Sequence, residues 1–170
     1  MSTPRTVLAI DSGTQSVRVI LYDEEGNQLA VGRQRHQPLL RPAPGAVEQD
    51  PEDIWSSMVS ACRSCMTQAR EKGYPAPLAG GITSQRKVLI PCDRNGVPLS
   101  AGLHWLDRRT ALPARSGVLG KAVRLFSGED GTLTTLLGLS QGNVLREAYP
   151  EAYASAAHML SITGWLTLRL

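Results

Sequence analysis

A single phenylalanine, three cysteines and no apolar run of bilayer-spanning length bound what this 170-residue chain can be. The short apolar runs exclude a membrane-spanning helix. Residues 1–6 are polar and Asp11 interrupts the first apolar run, so no secretory signal is expected. Three cysteines cannot all pair with one another, and without an export signal a reducing cytoplasm is the expected compartment. Aromatics make up only 5% of residues, and 18 basic against 15 acidic side chains leave +3 without a block of like charge. A nucleic-acid groove would need clustered basic residues interleaved with stacking aromatics, so neither nucleic acid nor a membrane is an expected partner. The hydrophobic fraction of 42% is enough for a soluble domain with a real core.

The most informative stretch is residues 7–21. Two Val/Ile-rich runs, 7–10 and 17–21, flank the polar loop Asp11-Ser12-Gly13-Thr14-Gln15-Ser16. This pattern predicts two strands and a tight turn. Gly13 permits close backbone approach, while Asp11, Thr14 and Ser16 supply oxygens and Arg18 a guanidinium. Such a loop can hold phosphate oxygens through amide and hydroxyl donors, and hydrated Mg²⁺ through the carboxylate. The same Asp-x-Gly-Thr pattern also occurs as a plain turn, because Asp and Gly favour turns for local reasons.

Residues 28–37 alternate and predict a third strand, making an antiparallel meander. His36 near its end reads as a surface or edge residue. A Pro-rich loop at 38–45 leads to Asp50-Pro51-Glu52-Asp53, a helix start with an N-cap, Pro at the first position and acids in the first turn. The helix is expected to reach about Lys72 and stop at Gly73. Ile54, Trp55, Met58, Val59, Cys62, Cys65, Met66 and Ala69 share one face, so this stripe reads as core. Cys62 and Cys65 lie mid-helix, far from the N-terminal dipole that activates a redox thiol. A zinc site would need two more ligands, with only Cys92 and His104 loosely available. Buried structural thiols are therefore expected.

Residues 78–82 and 88–91 predict two further strands around the polar corner Thr83-Ser84-Gln85-Arg86-Lys87. The first follows a helix and should lie parallel to the first strand. Residues 110–140 carry Gly and Pro punctuation and short amphipathic pieces. Pro150 opens a helix expected to reach His158, and residues 161–170 begin another. The order βββ-α-β-β then helices predicts an α/β mixed five-stranded sheet with helices on its faces. Ligands collect at strand ends in such sheets, placing 11–18 and 83–87 on one side of a cleft.

Several stretches, in this order, resemble the FGGY carbohydrate kinases, the superfamily of glycerol kinase and xylulokinase. Asp11-Ser12-Gly13-Thr14-Gln15-Ser16-Val17-Arg18 resembles their first phosphate-binding motif. Gly45-Ala46-Val47-Glu48-Gln49-Asp50-Pro51-Glu52-Asp53-Ile54-Trp55 resembles the opening of their first long helix. Gly81-Ile82-Thr83-Ser84-Gln85-Arg86-Lys87, then Cys92 to Leu99 and His104-Trp105-Leu106-Asp107-Arg108-Arg109, resembles their sugar-contacting stretch. Tyr149-Pro150-Glu151-Ala152-Tyr153 and Leu166-Thr167-Leu168-Arg169-Leu170 resemble the helical region after it.

The resemblance implies a ribonuclease H-like (actin-like ATPase) fold and transfer of the ATP γ-phosphoryl group to a sugar or polyol hydroxyl. It implies ATP and Mg²⁺ as cofactors. Asp11 would bind Mg²⁺ through water. Gly13, Thr14, Gln15, Ser16 and Arg18 would hold phosphates. Gln85, Arg86, Lys87, Trp105 and Asp107 would face the sugar. Residues 1–170 would be the N-terminal part of the first kinase domain, truncated, with a βββαβ core over about 5–110 and a helical region over 111–170. The second ATPase domain and the general-base aspartate would lie beyond Leu170, so no catalytic base is assigned here and the chain alone is expected to be inactive. Glycerol kinases carry Arg-Glu where this chain has Arg86-Lys87. An ammonium reverses the hydrogen-bond role of a carboxylate, which argues for an acidic or differently shaped sugar.

Two other classes share parts of this pattern. A non-catalytic sugar- or phosphate-binding or interaction module would expose apolar surface and self-associate, giving a homo-oligomer. A nuclease of the same fold class would need several carboxylates converging on two metals. Beyond Asp11, however, Glu52 and Asp53 are explained as helix N-terminal acids.

Overall fold

The computed structural model describes residues 5–111 and 140–170. The expectation of short amphipathic pieces over 110–140 falls almost wholly outside the described residues. Strand β1 (Thr6–Ser12) pairs antiparallel with β2 (Ser16–Asp23), and β2 with β3 (Gln28–Arg35). Strand β4 (Glu48–Gln49) precedes helix α1 (Pro51–Glu71), and β5 (Ala79–Ser84) then returns parallel to β1. The sheet order is β3-β2-β1-β5, a mixed sheet as expected.

The α1 cap is local chemistry. Asp50 accepts the Glu52 N–H at 2.9 Å, Pro51 takes the first position and Glu52 and Asp53 face the positive end of the dipole. Gly73, at φ 76°, follows the last turn, in the left-handed region that glycine enters without Cβ strain. Alternation along β2 buries Val17, Val19 and Leu21 against Ile54, Met58, Ala61, Cys65 and Ala69 of α1. Each large apolar side chain buried this way contributes about 1.5–3 kcal/mol. Helix and sheet meet closely at Gly32, where an added Cβ would lie 1.9 Å from the Ala61 carbonyl oxygen.

One strand departs from expectation. The fifth strand does not join the sheet. It forms as β6 (Ile90–Cys92) and pairs antiparallel with β8 (His158–Leu160), in a separate ribbon. Lys87, at φ 56°, lies in the left-handed region between β5 and β6, and β8 supplies the ladder partner of β6. A second small ribbon pairs β4 with β7 (Gly102–Leu103). The last segments are α2 (Gln141–Ala148), α3 (Pro150–Ser155) and α4 (Ile162–Arg169). The helix expected to run from Pro150 to His158 stops at Ser155, because His158–Leu160 is spent as β8.

Helix α4 completes the core with Ile162, Trp165 and Leu166, all fully buried. The Trp165 indole N–H donates to the Gly96 carbonyl at 2.9 Å. Arg169 stacks on Trp55 and pairs with Glu52, so that acid serves both the helix N-terminus and an ion pair. Among the described residues no helix is long and apolar enough to cross a membrane.

Candidate active site

The β1–β2 turn is closed by Gly13 N–H donating to the Ser16 carbonyl at 3.1 Å. Register sets Asp11 between Arg18 on one side and Thr83 of β5 on the other. Asp11, Gln15 and Arg18 are exposed. The turn opens on a cleft of about 480 Å³ lined by Asp11, Gly13, Thr14, Gln15, Ser16, Arg18, Trp105 and Leu106. Trp105 is half-exposed there, a flat apolar face beside the polar turn. A cleft of similar size, about 510 Å³, lies between Leu99 and residues 148–155, but Glu151 is its one ionisable carboxylate and none of the expected site residues line it.

The donor set fits a hydrated cation and phosphate oxygens. Asp11 offers an exposed carboxylate at a strand end. Among the described residues no three of His, Cys, Asp and Glu gather as a metal-ligand set, and the Asp11 carboxylate stands exposed by itself. Arg18, directly across the ladder, supplies a cation with a planar donor fork.

The corner after β5 meets this turn. Gln85 N–H donates to the Ser12 carbonyl at 2.9 Å, carrying the parallel pairing past Ser84. Thr14 Oγ1 lies 2.8 Å from Gln85 Oε1, and Gln85 Nε2 lies 2.7 Å from Gln49 Oε1. His104 Nε2 reaches the same Gln85 oxygen at 2.9 Å, and the Trp105 indole N–H donates to Thr14 Oγ1 at 3.4 Å. The Gln85 amide is thus spent internally. Arg86 and Lys87 are exposed, and the Lys87 carbonyl accepts from Gln141 Nε2 at 2.7 Å.

Asp107 is also committed. Its oxygens accept from the Arg109 guanidinium at 2.7–3.1 Å and from the Val47 N–H at 2.9 Å. Burial would raise its carboxyl pKa, but the Arg109 and Val47 bonds outweigh that and hold it below the usual range. Arg109 in turn donates to buried Glu48 at 2.6 Å, and the Tyr149 hydroxyl donates to the other Glu48 oxygen at 2.7 Å. Burial and the Glu48 charge push the Tyr149 hydroxyl pKa up.

The remaining sequence candidates sort by burial. His36 follows β3, an edge strand, as the sequence allows, but it is not at the surface. Its side chain is 1% exposed and sits 3.5 Å from Asp53, and burial pulls its pKa down. Burial raises the pKa of all three cysteine thiols, that of Cys92 to about 11. Cys65 and Cys92 are fully buried, and Cys62 is partly so. Such thiols pack as small apolar groups. Glu48, Gln49, Arg109 and Tyr149 lie in the family-like stretches without a role assigned from sequence, and His104 enters there only within the sugar-contacting stretch and as a loose zinc ligand. Each acts through a partner from 19 to 101 residues away, which leaves no mark on the pattern around it; Arg109 alone also has a local partner, Asp107.

Comparison with known proteins agrees with this architecture. Residues 6–170 match the model of the FGGY family of carbohydrate kinases, N-terminal domain. A glycerol kinase of Thermococcus onnurineus (strain NA1) is 40% identical over 108 residues, covering 63% of this chain and 21% of its own length. A glycerol kinase of Marinomonas sp. (strain MWYL1) is 43% identical over 108 residues, with 62% and 21% covered. The chain therefore spans about a fifth of the length of these relatives. The Plasmodium falciparum glycerol kinase with ADP superposes at TM-score 0.72 and 25% identity, covering 98% of this chain and 34% of that one. A Rhodospirillum rubrum xylulose kinase superposes at TM-score 0.74 and 20% identity, covering 98% and 34%, a likeness of fold. With its βββαβ order, its polar β1–β2 turn and a family match over nearly its whole length, the chain belongs to the FGGY family of carbohydrate kinases.

Proposed function

We propose that residues 1–170 form the phosphate-clamp and acceptor-binding part of an enzyme that moves the ATP γ-phosphoryl group to a sugar or polyol hydroxyl. The observation that carries this reading is the contact between Thr14 and Gln85. It joins the turn suited to phosphate with the corner suited to a sugar, as in-line transfer requires of donor and acceptor. The 40%-identical glycerol kinases and the ADP-bound relative support ATP as the phosphoryl donor.

In this reading Gly13, Gln15, Ser16 and Arg18 hold phosphate oxygens, with Thr14 beside them, and Asp11 holds Mg²⁺ through water. Bound Mg²⁺ neutralises charge on the phosphates. Arg86, Lys87 and Trp105 face the acceptor. Gln85 and Asp107 hold that corner in place, since their polar atoms are taken by Thr14, His104, Gln49, Arg109 and Val47. Asp107 is for the same reason a poor general base, and we assign proton removal to a carboxylate outside this chain. Two exposed cations in series at Arg86-Lys87 favour an acidic or otherwise non-glycerol acceptor.

The test is nucleotide binding and turnover by the 170-residue chain. Phosphorus NMR of ATP with Mg²⁺ should show broadening when the chain is added. Asp11→Ala and Arg18→Ala should each remove it with the circular dichroism unchanged. Coupled ADP release with a sugar panel should stay at background. Absence of broadening at millimolar ATP would refute the phosphate clamp, and sugar-dependent turnover would refute the external base.

A further inference from the structure

The contacts around Gln85 have a direction, and a backbone amide sets it. Leu106 N–H donates to His104 Nδ1 at 3.2 Å. A backbone N–H can only donate, so Nδ1 carries its lone pair and the neutral ring carries its proton on Nε2. Full burial of His104, which lowers its pKa, favours that neutral ring. Nε2–H therefore donates to Gln85 across 2.9 Å, and the Gln85 atom facing it must be oxygen. The flipped amide would set two donors against each other. The same oxygen lies 2.8 Å from Thr14 Oγ1. An amide oxygen only accepts, so the one hydroxyl proton of Thr14 points inward. Gln85 Nε2 then donates to Gln49 Oε1, which leaves the buried Gln49 Nε2 as a donor with no partner among the described residues.

Thr14 consequently shows the cleft lone pairs only. A second observation agrees: the Trp105 indole N–H, which can only donate, approaches Thr14 Oγ1 from the cleft side at 3.4 Å. We propose that His104 and Gln85 are positioning residues that fix Thr14 as a hydrogen-bond acceptor. Its partner in the cleft is then an O–H donor, either a water of a hydrated divalent cation or an acceptor-substrate hydroxyl, and not a phosphate oxygen. A phosphate oxygen there would meet another acceptor unless the hydroxyl rotated and abandoned Gln85. The identity of the donor rests on the kinase reading above; the direction of the relay does not.

Two measurements separate these parts. The ¹⁵N spectrum of histidine-labelled chain, with His104 assigned by its loss in His104→Gln, should show a neutral Nε2–H tautomer at neutral pH. A Nδ1–H tautomer or a charged ring overturns the relay. ATP binding is then measured with Mg²⁺ and with EDTA, and binding of a polyol and sugar-acid panel alongside, for wild type, Thr14→Ser and Thr14→Val. Thr14→Ser should bind as wild type. Thr14→Val should lose about fivefold to tenfold either for Mg²⁺-ATP alone, naming metal-bound water, or for the panel member that binds, naming a hydroxyl, and no loss for either would overturn the proposal. Equal losses with Mg²⁺ and with EDTA would mean that Thr14 donates to phosphate and would overturn the proposal. A wild-type chain that binds neither ATP nor any panel member counts against the kinase reading, and the tautomer then decides the relay alone.

Discussion

Arg109 and Glu48 meet at 2.6 Å with the Glu48 side chain only 2% exposed, and that pair ties the segment before α1 to the segment after β7. Burial opposes the Arg109 charge, but its bonds to Asp107 and Glu48 outweigh this and raise its pKa. Removing the guanidinium would strand two largely buried carboxylates. We expect Arg109→Ala to destabilise the chain by about 3–5 kcal/mol, the usual cost of breaking a buried pair from one side. Urea unfolding of wild type, Arg109→Ala and the double variant Arg109→Met/Glu48→Leu checks it. The double variant should be closer to wild type than the single one, because it leaves no charge at Glu48.

Gly32 and Ala61 make the second test. The Ala61 carbonyl and the Cys65 amide lie 1.9 and 2.8 Å from where a Gly32 Cβ would sit. Both are backbone atoms of α1 and cannot rotate away. Gly32→Ala should therefore force helix and sheet apart and cost about 1–3 kcal/mol or more. Gly26→Ala, with nothing within 4 Å of its Cβ but φ at +84°, should carry only the strain of its positive φ. A Gly32→Ala midpoint equal to wild type would show that the close approach is not present in solution.

Acid should unfold the chain in steps. Burial holds His36 and His104 below the ordinary 6.5. The unfolded chain takes up those protons near pH 6.5, whereas the folded chain does so only at lower pH, so stability falls as pH drops below 6.5. Each histidine contributes a slope of up to about 1.4 kcal/mol per pH unit in that window. Asp107, held below its ordinary 3.8, adds stability that is present above that pH and lost as pH falls through its lower folded value. Thermal melts from pH 7 to 5 should show the histidine slope, and His104→Gln should make it shallower. A flat profile across this range would refute the neutral buried histidines.

Much of this was legible because it is local. The Asp50-Pro51 cap, the Gly73 stop and the Val/Ile-rich run of β2 depend on neighbours within a few residues, and all three form where the pattern places them. The polar turn from Asp11 to Arg18 was legible for the same reason. The fifth strand was legible as a strand but not in its pairing. Its apolar run says that Ile90–Cys92 is extended; it cannot say that His158–Leu160 is nearer than the sheet edge.

The site divides along the same line. Sequence alone determined the family likeness, the polar turn at 11–18 and the polar corner at 83–87, since each is a short run of chemically specific residues. Only tertiary structure decided what those residues are free to do. Asp107 reads as a sugar contact until Arg109 and Val47 are seen to occupy it. Gln85 reads likewise until Thr14, His104 and Gln49 claim its amide. A hydrogen bond is a pairing, and partners 36 and 71 residues away leave no mark on the pattern around either residue.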